Sequence, residues 1–245
     1  MDKPKIALVT GAAGTMGMAV TETFIAEGID VVMVDIVEDK LAAAAERLGP
    51  QAHPYAFDIS DPELVEKSVQ KIIQEVGTVT ILVNNAGILS NNKVMQTTPE
   101  EWNRVLSVNL SGAFYLCKAV LPGMRRVGWG RIINTSSYAA KCGGITAGTA
   151  YAVSKGGLIT LTFSVAAETL RDGITVNGIA PVWVKTPMVT EQLTEEQRQQ
   201  VIEKIPVGRF CEPDEFAHVV SFLAAEKSGF ITGEIVDLNG GIHFD

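Results

Sequence analysis

The chain has 245 residues, 47% of them apolar, so it can bury one large core and is expected to form a single domain, residues 1–245. Its formal charge of −8 argues against nucleic acid or an anionic membrane as partner, because either requires a basic face. Three scattered cysteines lack metal-ligand spacing, and no long apolar run indicates a signal peptide or a membrane span. We therefore expect a cytoplasmic protein that holds no metal and acts on a small molecule.

Short β-branched runs alternate with longer helical stretches from end to end of the chain. This pattern predicts repeated βαβ units around a parallel sheet that is buried on both faces. Seven strands are predicted, at residues 5–10, 31–36, 52–57, 80–85, 131–136, 174–179 and 234–238. The fold class is therefore α/β.

Three helix starts are indicated by a hydroxyl that is followed, three residues later, by Glu or Gln. The capping hydroxyls would be those of Ser60, Thr98 and Thr194. The segment 186–209 differs from the rest, because its polar helix has no strand of its own. We expect it to form a small lid after strand six.

A glycine-rich stretch, Thr10 to Val20, connects the first strand to a helical run. A strand that turns sharply into a helix presents free N–H groups and the positive end of the helix dipole, which suits a pyrophosphate. The alternative is a tight turn without a ligand. No Gly-Lys-Ser/Thr follows, so the stretch is not a P-loop.

Asp35 ends the second strand, where a carboxylate can accept both ribose hydroxyls of an adenosine. The same carboxylate would repel a 2′-phosphate, and no Arg or Lys lies between Gly11 and Asp39 to receive one. The sequence therefore predicts NAD rather than NADP.

An ordered set of motifs resembles the short-chain dehydrogenase/reductase family over nearly the whole chain. Besides the glycine loop, the set contains Asn84-Asn85-Ala86-Gly87, Asn109, Ser137, Tyr151-x-x-x-Lys155, Ile231-Thr232-Gly233 and Gly240-Gly241. The resemblance implies a doubly wound Rossmann fold with a seven-stranded parallel sheet, a nicotinamide cofactor, hydride transfer to and from a carbonyl, and a homotetramer.

The resemblance also implies a set of cofactor-binding positions. These are Gly11, Thr15, Met16, Gly17, Asp35, Asp58, Ile59, Asn85, Ala86, Gly87, Tyr151, Lys155, Pro181, Val184 and Thr186. Two residues depart from the family pattern. Thr15 replaces the middle glycine of the loop, and Val182 replaces the glycine that usually follows Pro181, so we expect an altered nicotinamide pocket.

Tyr151 and Lys155 are four residues apart, so a helix places the ammonium and the phenol on one face. We expect the cation to draw the tyrosine pKa from about 10 toward the operating pH, which makes the phenol an effective general acid or base. By the resemblance, Ser137 rather than the adjacent Ser136 holds the substrate oxygen, and Asn109 anchors a water that links the lysine to solvent. The alternative is an exposed polar pair on an ordinary helix.

A serine hydrolase is not favoured, because the chain has no G-x-S-x-G motif and no histidine is placed to activate a serine. The histidines are interpreted as structural or surface residues. His243 and Phe244 could also line a neighbouring subunit's site in an oligomer.

The residues expected around the substrate are apolar or aromatic. They are Tyr138, Trp183 and Met188, with Ile88, Leu89, Val94, Met95 and Cys142 as further candidates. Such a pocket favours an NAD-dependent oxidoreductase for a small or medium secondary alcohol or ketone.

Two alternatives remain at this point. Many members of the family that the chain resembles reduce 3-oxoacyl groups on an acidic carrier protein. The positions that resemble the docking sites carry Trp129 and Asp172 here, so a 3-oxoacyl-carrier-protein reductase is placed second. The alternative of another class is a non-catalytic NAD-binding sensor or scaffold.

Overall fold

The computed structural model describes residues 5–145, 147–187, 191 and 194–244. These residues contain seven strands: β1 (Ile6–Thr10), β2 (Asp30–Asp35), β3 (Ala52–Ala56), β4 (Ile81–Asn84), β5 (Gly130–Thr135), β6 (Ile174–Pro181) and β7 (Ile235–Leu238). The strands are all parallel and form one sheet in the order β3-β2-β1-β4-β5-β6-β7. Each of the seven predicted strands is confirmed.

Helices cover both faces of the sheet. They are α1 (Thr15–Ala26), α2 (Glu38–Leu48), α3 (Pro62–Glu75), α4 (Pro99–Leu106), α5 (Gly112–Val127), α6 (Tyr138–Lys141), α7 (Thr149–Thr169), α8 (Glu195–Ile202) and α9 (Pro213–Ala224). Phe24 of α1 and Phe216 of α9 are fully buried in one core, and Ile72 of α3 and Leu116 of α5 in the other. The predicted doubly wound α/β fold is confirmed.

The sequence of strand β1 is apolar without a break because both faces of the strand are covered by helices. Ala7 and Val9 face the core beneath α1 and α9, whereas Ile6 and Leu8 face the core beneath α3 and α5. Successive side chains of a strand point to opposite faces, so a strand covered on both sides has no polar face.

Two of the three predicted helix caps are present. The Thr98 hydroxyl accepts a hydrogen bond from the backbone three residues on, and Thr194 forms a reciprocal capping box. The prediction for Ser60 is wrong, because the carboxylate of Asp61 caps α3 instead. The Ser60 hydroxyl donates to Asp58 at 2.7 Å.

The continuous helical run Pro99–Val127 has the length and composition of a membrane span, with a mean hydropathy of 1.4 in its most apolar window. Its Leu116, Cys117 and Val120 are buried in the core against the sheet. The fold therefore covers one side of this apolar run with protein.

The strand order reverses between β1 and β4, since the chain proceeds outward from β1 in one direction and from β4 in the other. The loops that follow these two strands separate there and leave a crevice at the carboxyl edge of the sheet. Ligands of doubly wound folds bind at such a point.

Candidate active site

The glycine loop after β1 depends on two of its three glycines. Gly11 has a positive φ of 65°, which only glycine adopts readily. A Cβ on Gly17 would lie 2.2 Å from the carbonyl oxygen of Gly11, so α1 passes too close to the loop for any side chain. Gly14 is less constrained than Gly11 and Gly17. Its φ is −87°, and a Cβ on it would lie 3.3 Å from the Gly11 carbonyl oxygen.

The N-terminus of α1 suits an anion. No side chain caps the helix at Gly14, and its first turn contains no acidic residue. The first backbone N–H groups of a helix lack partners inside it and carry its positive dipole end. Thr15 and Met16, which were predicted to contact the cofactor, form this first turn. The donors and the close-packed glycines therefore fit a dinucleotide pyrophosphate.

Thr10 joins the two loops of the crevice, a role that the sequence did not suggest. Its buried hydroxyl accepts hydrogen bonds from the backbone N–H groups of Asn85 and Ala86, both at 3.0 Å, and donates to Val83 O at 3.3 Å. The Asn85 side chain returns a hydrogen bond to Thr10 O at 2.9 Å. The only available signal was a hydroxyl on the last residue of a buried strand.

Asp35 lies at the carboxyl end of β2, beside the glycine loop. One carboxylate oxygen accepts from the Ala13 N–H at 3.0 Å and the other from the Val37 N–H at 3.2 Å. These two bonds fix the direction of the carboxylate. Next to it the Ile36 side chain is exposed, which gives this end of the crevice an apolar surface.

Asp58 and Ile59, the other residues assigned to the adenosine end, follow β3. Asp58 is exposed, and its carboxylate accepts from the backbone and hydroxyl of Ser60 at 2.8 and 2.7 Å. Ile59 is buried and therefore supports the loop from inside.

Helix α7 brings Tyr151 and Lys155 to the wall of a cavity of about 380 Å³. The Lys155 Nζ lies 5.8 Å from the centre of the tyrosine ring and donates to Thr135 O at 2.7 Å. The lysine is buried, which excludes the alternative of an exposed polar pair. The same cavity is lined by Met16, Asn85 and Gly87, so it opens onto the cofactor crevice.

Ser137 and Ser136 have different surroundings although they are adjacent. The Ser136 side chain is buried and donates to the backbone carbonyl of Lys155 at 2.8 Å. The Ser137 oxygen accepts from the Ala139 N–H at 3.1 Å, and its side chain is hydrogen-bonded to Tyr151 at the cavity wall, where a substrate oxygen can replace this bond. The geometry therefore favours Ser137 over Ser136 for the substrate-binding role.

Comparison with known proteins agrees with this arrangement. A sequence model of the family described as "Enoyl-(Acyl carrier protein) reductase" matches residues 11–243. The chain belongs to the short-chain dehydrogenase/reductase family. Its activity is therefore that of an oxidoreductase with a nicotinamide cofactor.

Curated relatives match over almost their whole length. The 3-oxoacyl-[acyl-carrier-protein] reductase FabG of Thermotoga maritima is 38% identical over 241 residues, which cover 97% of each chain. The proteins of the same name from Vibrio harveyi and Escherichia coli are each 40% identical over 240 residues, covering 98% of this chain and 97% of theirs.

The short-chain dehydrogenase/reductase site differs from the sequence-based expectation in the pKa of Tyr151. The expectation that Lys155 draws this pKa down is wrong for the structure, because burial raises it, while a hydrogen bond with Ser137 lowers it by less. Burial also lowers the pKa of Lys155 to about 8. Removing both groups from water disfavours both charged forms.

Asn109 lies in a π-helical turn, Ser107–Ser111, between α4 and α5. Its buried side-chain amide donates to Ile88 O and Ser154 Oγ, both at 3.0 Å, and accepts from the Ile88 N–H at 2.8 Å. The amide is thus committed to holding the loop after β4. A water on this residue would have to use the main-chain carbonyl, and the predicted water-anchoring role stays a prediction.

The cofactor positions after β6 lie together at the cavity, which Pro181, Val184 and Thr186 line. Val182, the second departure from the family pattern, keeps ordinary geometry and donates its N–H to Leu238 O at 3.0 Å. The strain lies one residue later, because Trp183 is the only non-glycine residue with a positive φ, 45°, in the described part of the chain.

Most of the predicted substrate residues line the cavity. Those that do are Ile88, Leu89, Tyr138, Cys142 and Trp183. Val94 and Met95 are wrong candidates, since 69% and 87% of their surfaces are exposed and they do not border the cavity. Met188 lies outside the described residues.

The C-terminal segment and the lid approach the cavity from one side. The ring of His243 lies 5.9 Å from that of Tyr138 in the same chain, whereas Phe244 is exposed. In the described part of the lid, Ile205 and the adjacent Phe210 form a small core with Trp183. The lid therefore packs directly on a residue of the cavity wall.

Proposed function

We propose that this protein is an NAD(H)-dependent 3-oxoacyl reductase, which interconverts the 3-oxo and 3-hydroxy groups of acyl thioesters. The observation that carries the proposal is the meeting of Tyr151, Lys155 and Ser137 at a cavity that opens onto the cofactor crevice. The names of the curated relatives support a 3-oxoacyl substrate over the simple alcohol that the sequence favoured.

The residues of this chain divide the reduction of a carbonyl between them. Ser137 donates a hydrogen bond to the substrate oxygen and so holds it in place, while the Ser137 oxygen accepts from the Ala139 N–H. Tyr151 transfers its phenolic proton to that oxygen, and the Lys155 ammonium stabilises the phenolate that remains. When bound, the nicotinamide supplies the hydride. The oxidation reverses each proton transfer.

Four groups would hold that cofactor. The N-terminus of α1 would bind the pyrophosphate, and Asp35 the adenosine ribose. Asn85 to Gly87 would lie along the dinucleotide, and Lys155 would also hold the nicotinamide ribose. Lys155 is buried beside Gly87, because a Cβ added to Gly87 would lie 3.3 Å from the Lys155 Nζ. The last two of these groups are therefore direct neighbours.

Asp35 supports a preference for NAD over NADP. Its carboxylate is held in place by two backbone N–H groups, and it presents negative charge where a 2′-phosphate would lie. Replacing Asp35 with Ala removes that repulsion. We expect the ratio of kcat/KM for NADH over NADPH to fall about tenfold or more, the size of a lost charged hydrogen bond.

The control for this experiment is Asp39→Ala, which removes an acidic residue from the first turn of α2 and leaves the end of β2 intact. This variant should keep the ratio of the native protein. Equal efficiency with both nucleotides in the native protein would contradict the assignment of Asp35.

The substrate class is tested with one acyl group in three forms. Acetoacetyl-carrier protein, acetoacetyl-coenzyme A and ethyl acetoacetate are each supplied with NADH, and the loss of NADH absorbance is followed. A 3-oxoacyl reductase turns over at least one of the two thioesters faster than a panel of simple ketones. Faster turnover of the simple ketones would contradict the proposal.

A second candidate is a dehydrogenase for a free secondary alcohol or ketone, and the charges beside α5 favour it. Arg125 donates to Asp172 at 2.7 Å and to Glu168 at 2.9 Å, and these bonds raise its pKa. The cation is thus paired with two carboxylates that would repel an acidic carrier protein. A lower KM for ethyl acetoacetate than for the carrier-bound form would support this candidate.

We also propose that the protein works as a homotetramer in the cytoplasm, with neither nucleic acid nor membrane as partner. The net charge of −8 supports the exclusion of both. Exposed apolar side chains on α5 and α7, among them Phe114 and Phe163, support association of subunits. Light scattering on the purified protein measures the assembly.

A further inference from the structure

Residues 90–93, here called the strap, run along the N-terminal end of the helix that carries Tyr151. The Ser90 carbonyl accepts from the Gly148 N–H at 2.6 Å, and the Asn92 carbonyl accepts from the Thr149 N–H at 3.0 Å. Helix α7 has no side-chain cap of its own. The strap therefore supplies the acceptors that the start of a helix requires.

Helix α4 holds the strap through one carboxylate. Glu101 accepts from the Ser90 hydroxyl at 2.5 Å and from the Asn92 amide at 2.8 Å, so each of its oxygens has a partner. The bond from Asn92, followed by that from Ser90, lowers the pKa of Glu101. The strap is thus fixed to α4 as well as to α7.

Lys93, the last residue of the strap, reaches into the loop that precedes α7. Its Nζ donates to Gly144 O and Ala147 O, both at 2.6 Å, and lies 3.4 Å from Ile145 O. An ammonium has three donors and no acceptor, so it matches three converging carbonyls. The bonds cross 51 to 54 positions of the sequence and tie two segments that share no secondary structure.

The loop that Lys93 holds, here called the substrate loop, consists of residues 142–148, of which Thr146 lies outside the described residues. Cys142 and Ala147 contribute to the cavity wall. Gly143 and Gly144 both have a φ of 69°, which turns the loop tightly enough for its carbonyls to face Lys93. A Cβ on Gly148 would lie 2.6 Å from Ser90 O, so loop and strap are packed without a gap.

We propose that Lys93 is a positioning residue for catalysis, which fixes the substrate loop and the first turn of α7 so that Tyr151 meets the substrate oxygen. The inference rests on the proposed function only in placing a carbonyl substrate in this cavity. Lys93 makes no contact with the α1 N-terminus or with Asp35 among its described bonds. Its loss should therefore affect the substrate more than the cofactor.

The test compares Lys93→Met, which removes the ammonium and keeps the stem, with Lys93→Arg, which keeps the charge. Lys71→Met is the matched control, because Lys71 is an exposed lysine whose ion pair with Glu75 is long, 3.9 Å. Each variant is assayed for substrate KM, kcat and NADH Kd, and hydrogen exchange is measured at the amides of residues 147–149.

For Lys93→Met we expect KM to rise about tenfold, the size of a lost charged hydrogen bond, with NADH Kd within about twofold of the native value. The amides of Gly148 and Thr149 should exchange faster. The KM and the exchange rates of Lys93→Arg should lie between those of Lys93→Met and of the native protein. Those of the control, Lys71→Met, should equal the native values.

An unchanged KM in Lys93→Met would overturn the inference, and so would unchanged exchange at Gly148 and Thr149. An equal loss of NADH and substrate affinity would do the same, since it indicates a general loss of structure. The exchange measurement needs no substrate. A native protein that reduces no 3-oxoacyl group would thus count against the proposed function and leave the role of Lys93 to be decided by exchange.

Discussion

The cofactor side and the substrate side of the site are built in different ways. On the cofactor side, Gly11 and Gly17 shape a loop only seven positions long, and Thr10 fastens it to the neighbouring strand turn. On the substrate side, Lys93 and Trp183 hold loops to segments far away in the sequence. The first side is fixed by close backbone packing together with the long-range hydroxyl of Thr10, and the second mainly by long-range side chains.

This difference predicts that the two sides fail separately. A substitution in the glycine loop should abolish both cofactor binding and turnover. A change on the substrate side should spare the cofactor. Three experiments test this separation, beginning with the largest effect.

Replacing Tyr151 with Phe removes the proton donor and leaves the crevice intact. We expect kcat to fall about a thousandfold, within the range for general acid catalysis, while NADH binding measured by fluorescence stays within about twofold. Retained turnover would remove the phenol from the mechanism, whereas a native protein without turnover would bring back the interpretation as a non-catalytic sensor or scaffold.

Ser137→Ala is the companion variant to Tyr151→Phe. It removes a hydrogen bond to the substrate oxygen and keeps the proton donor, so its kcat should fall less, about tenfold to a hundredfold. A larger loss for Ser137→Ala than for Tyr151→Phe would contradict the assigned roles.

Replacing Gly17 with Ala tests the cofactor side. The added carbon would lie 2.2 Å from the Gly11 carbonyl oxygen and 2.9 Å from the Cα of Ala12, so the loop or α1 has to move. We expect about 2 kcal/mol of lost stability, typical of overpacking, and loss of measurable NADH binding. Chemical denaturation and fluorescence titration measure the two effects.

Gly14→Ala is the control for this overpacking. Its carbon would lie 3.3 Å from the same oxygen, on an exposed residue with an ordinary φ. Its stability should stay close to that of the native protein. Equal losses in the two variants would contradict the prediction that close packing at Gly17, rather than the loss of any glycine from the loop, causes the destabilisation.

Lys155 belongs to both sides, and its ionisation should change stability with pH and not abolish binding or turnover. Burial lowers its pKa from 10.5 to about 8, so between these values the unfolded chain binds more protons than the folded one. Stability therefore rises with pH across this window. From pH 7.5 to 9.5 the contribution of Lys155 to the free energy of unfolding should rise by about 2 kcal/mol.

The measurement is chemical denaturation of the native protein and of Lys155→Met over that pH range. The difference in the free energy of unfolding between the two proteins should change in favour of the native protein as pH rises. A constant difference would mean that Lys155 keeps an ordinary pKa in the folded state.

The sequence predicted the sheet because its information is local. Strands such as β1 and β4 are apolar on both faces and end in a glycine or polar turn, so their limits can be recognised one at a time. The helix position of Tyr151 and Lys155 followed from spacing alone. Ser137 was separated from Ser136 by a family pattern, and the structure supplied the physical reason in their different hydrogen bonds.

What the sequence could not predict depends on three-dimensional surroundings. The direction of the Tyr151 pKa shift required knowledge of how deeply the pair is buried. Val94 and Met95 are apolar and follow a family motif, yet they lie outside the cavity. Thr10 and Lys93 act through backbone groups of distant segments, which no local spacing reveals.

Trp183 lines the cavity and packs on Ile205 of the lid and on the adjacent Phe210. An indole shared by two compartments cannot rotate in one without disturbing the other, particularly with a backbone already held at a φ of 45°. A ligand that shifts this ring would therefore also disturb the packing of Ile205 and Phe210, so the contents of the cavity and the order of this small core are coupled through one side chain.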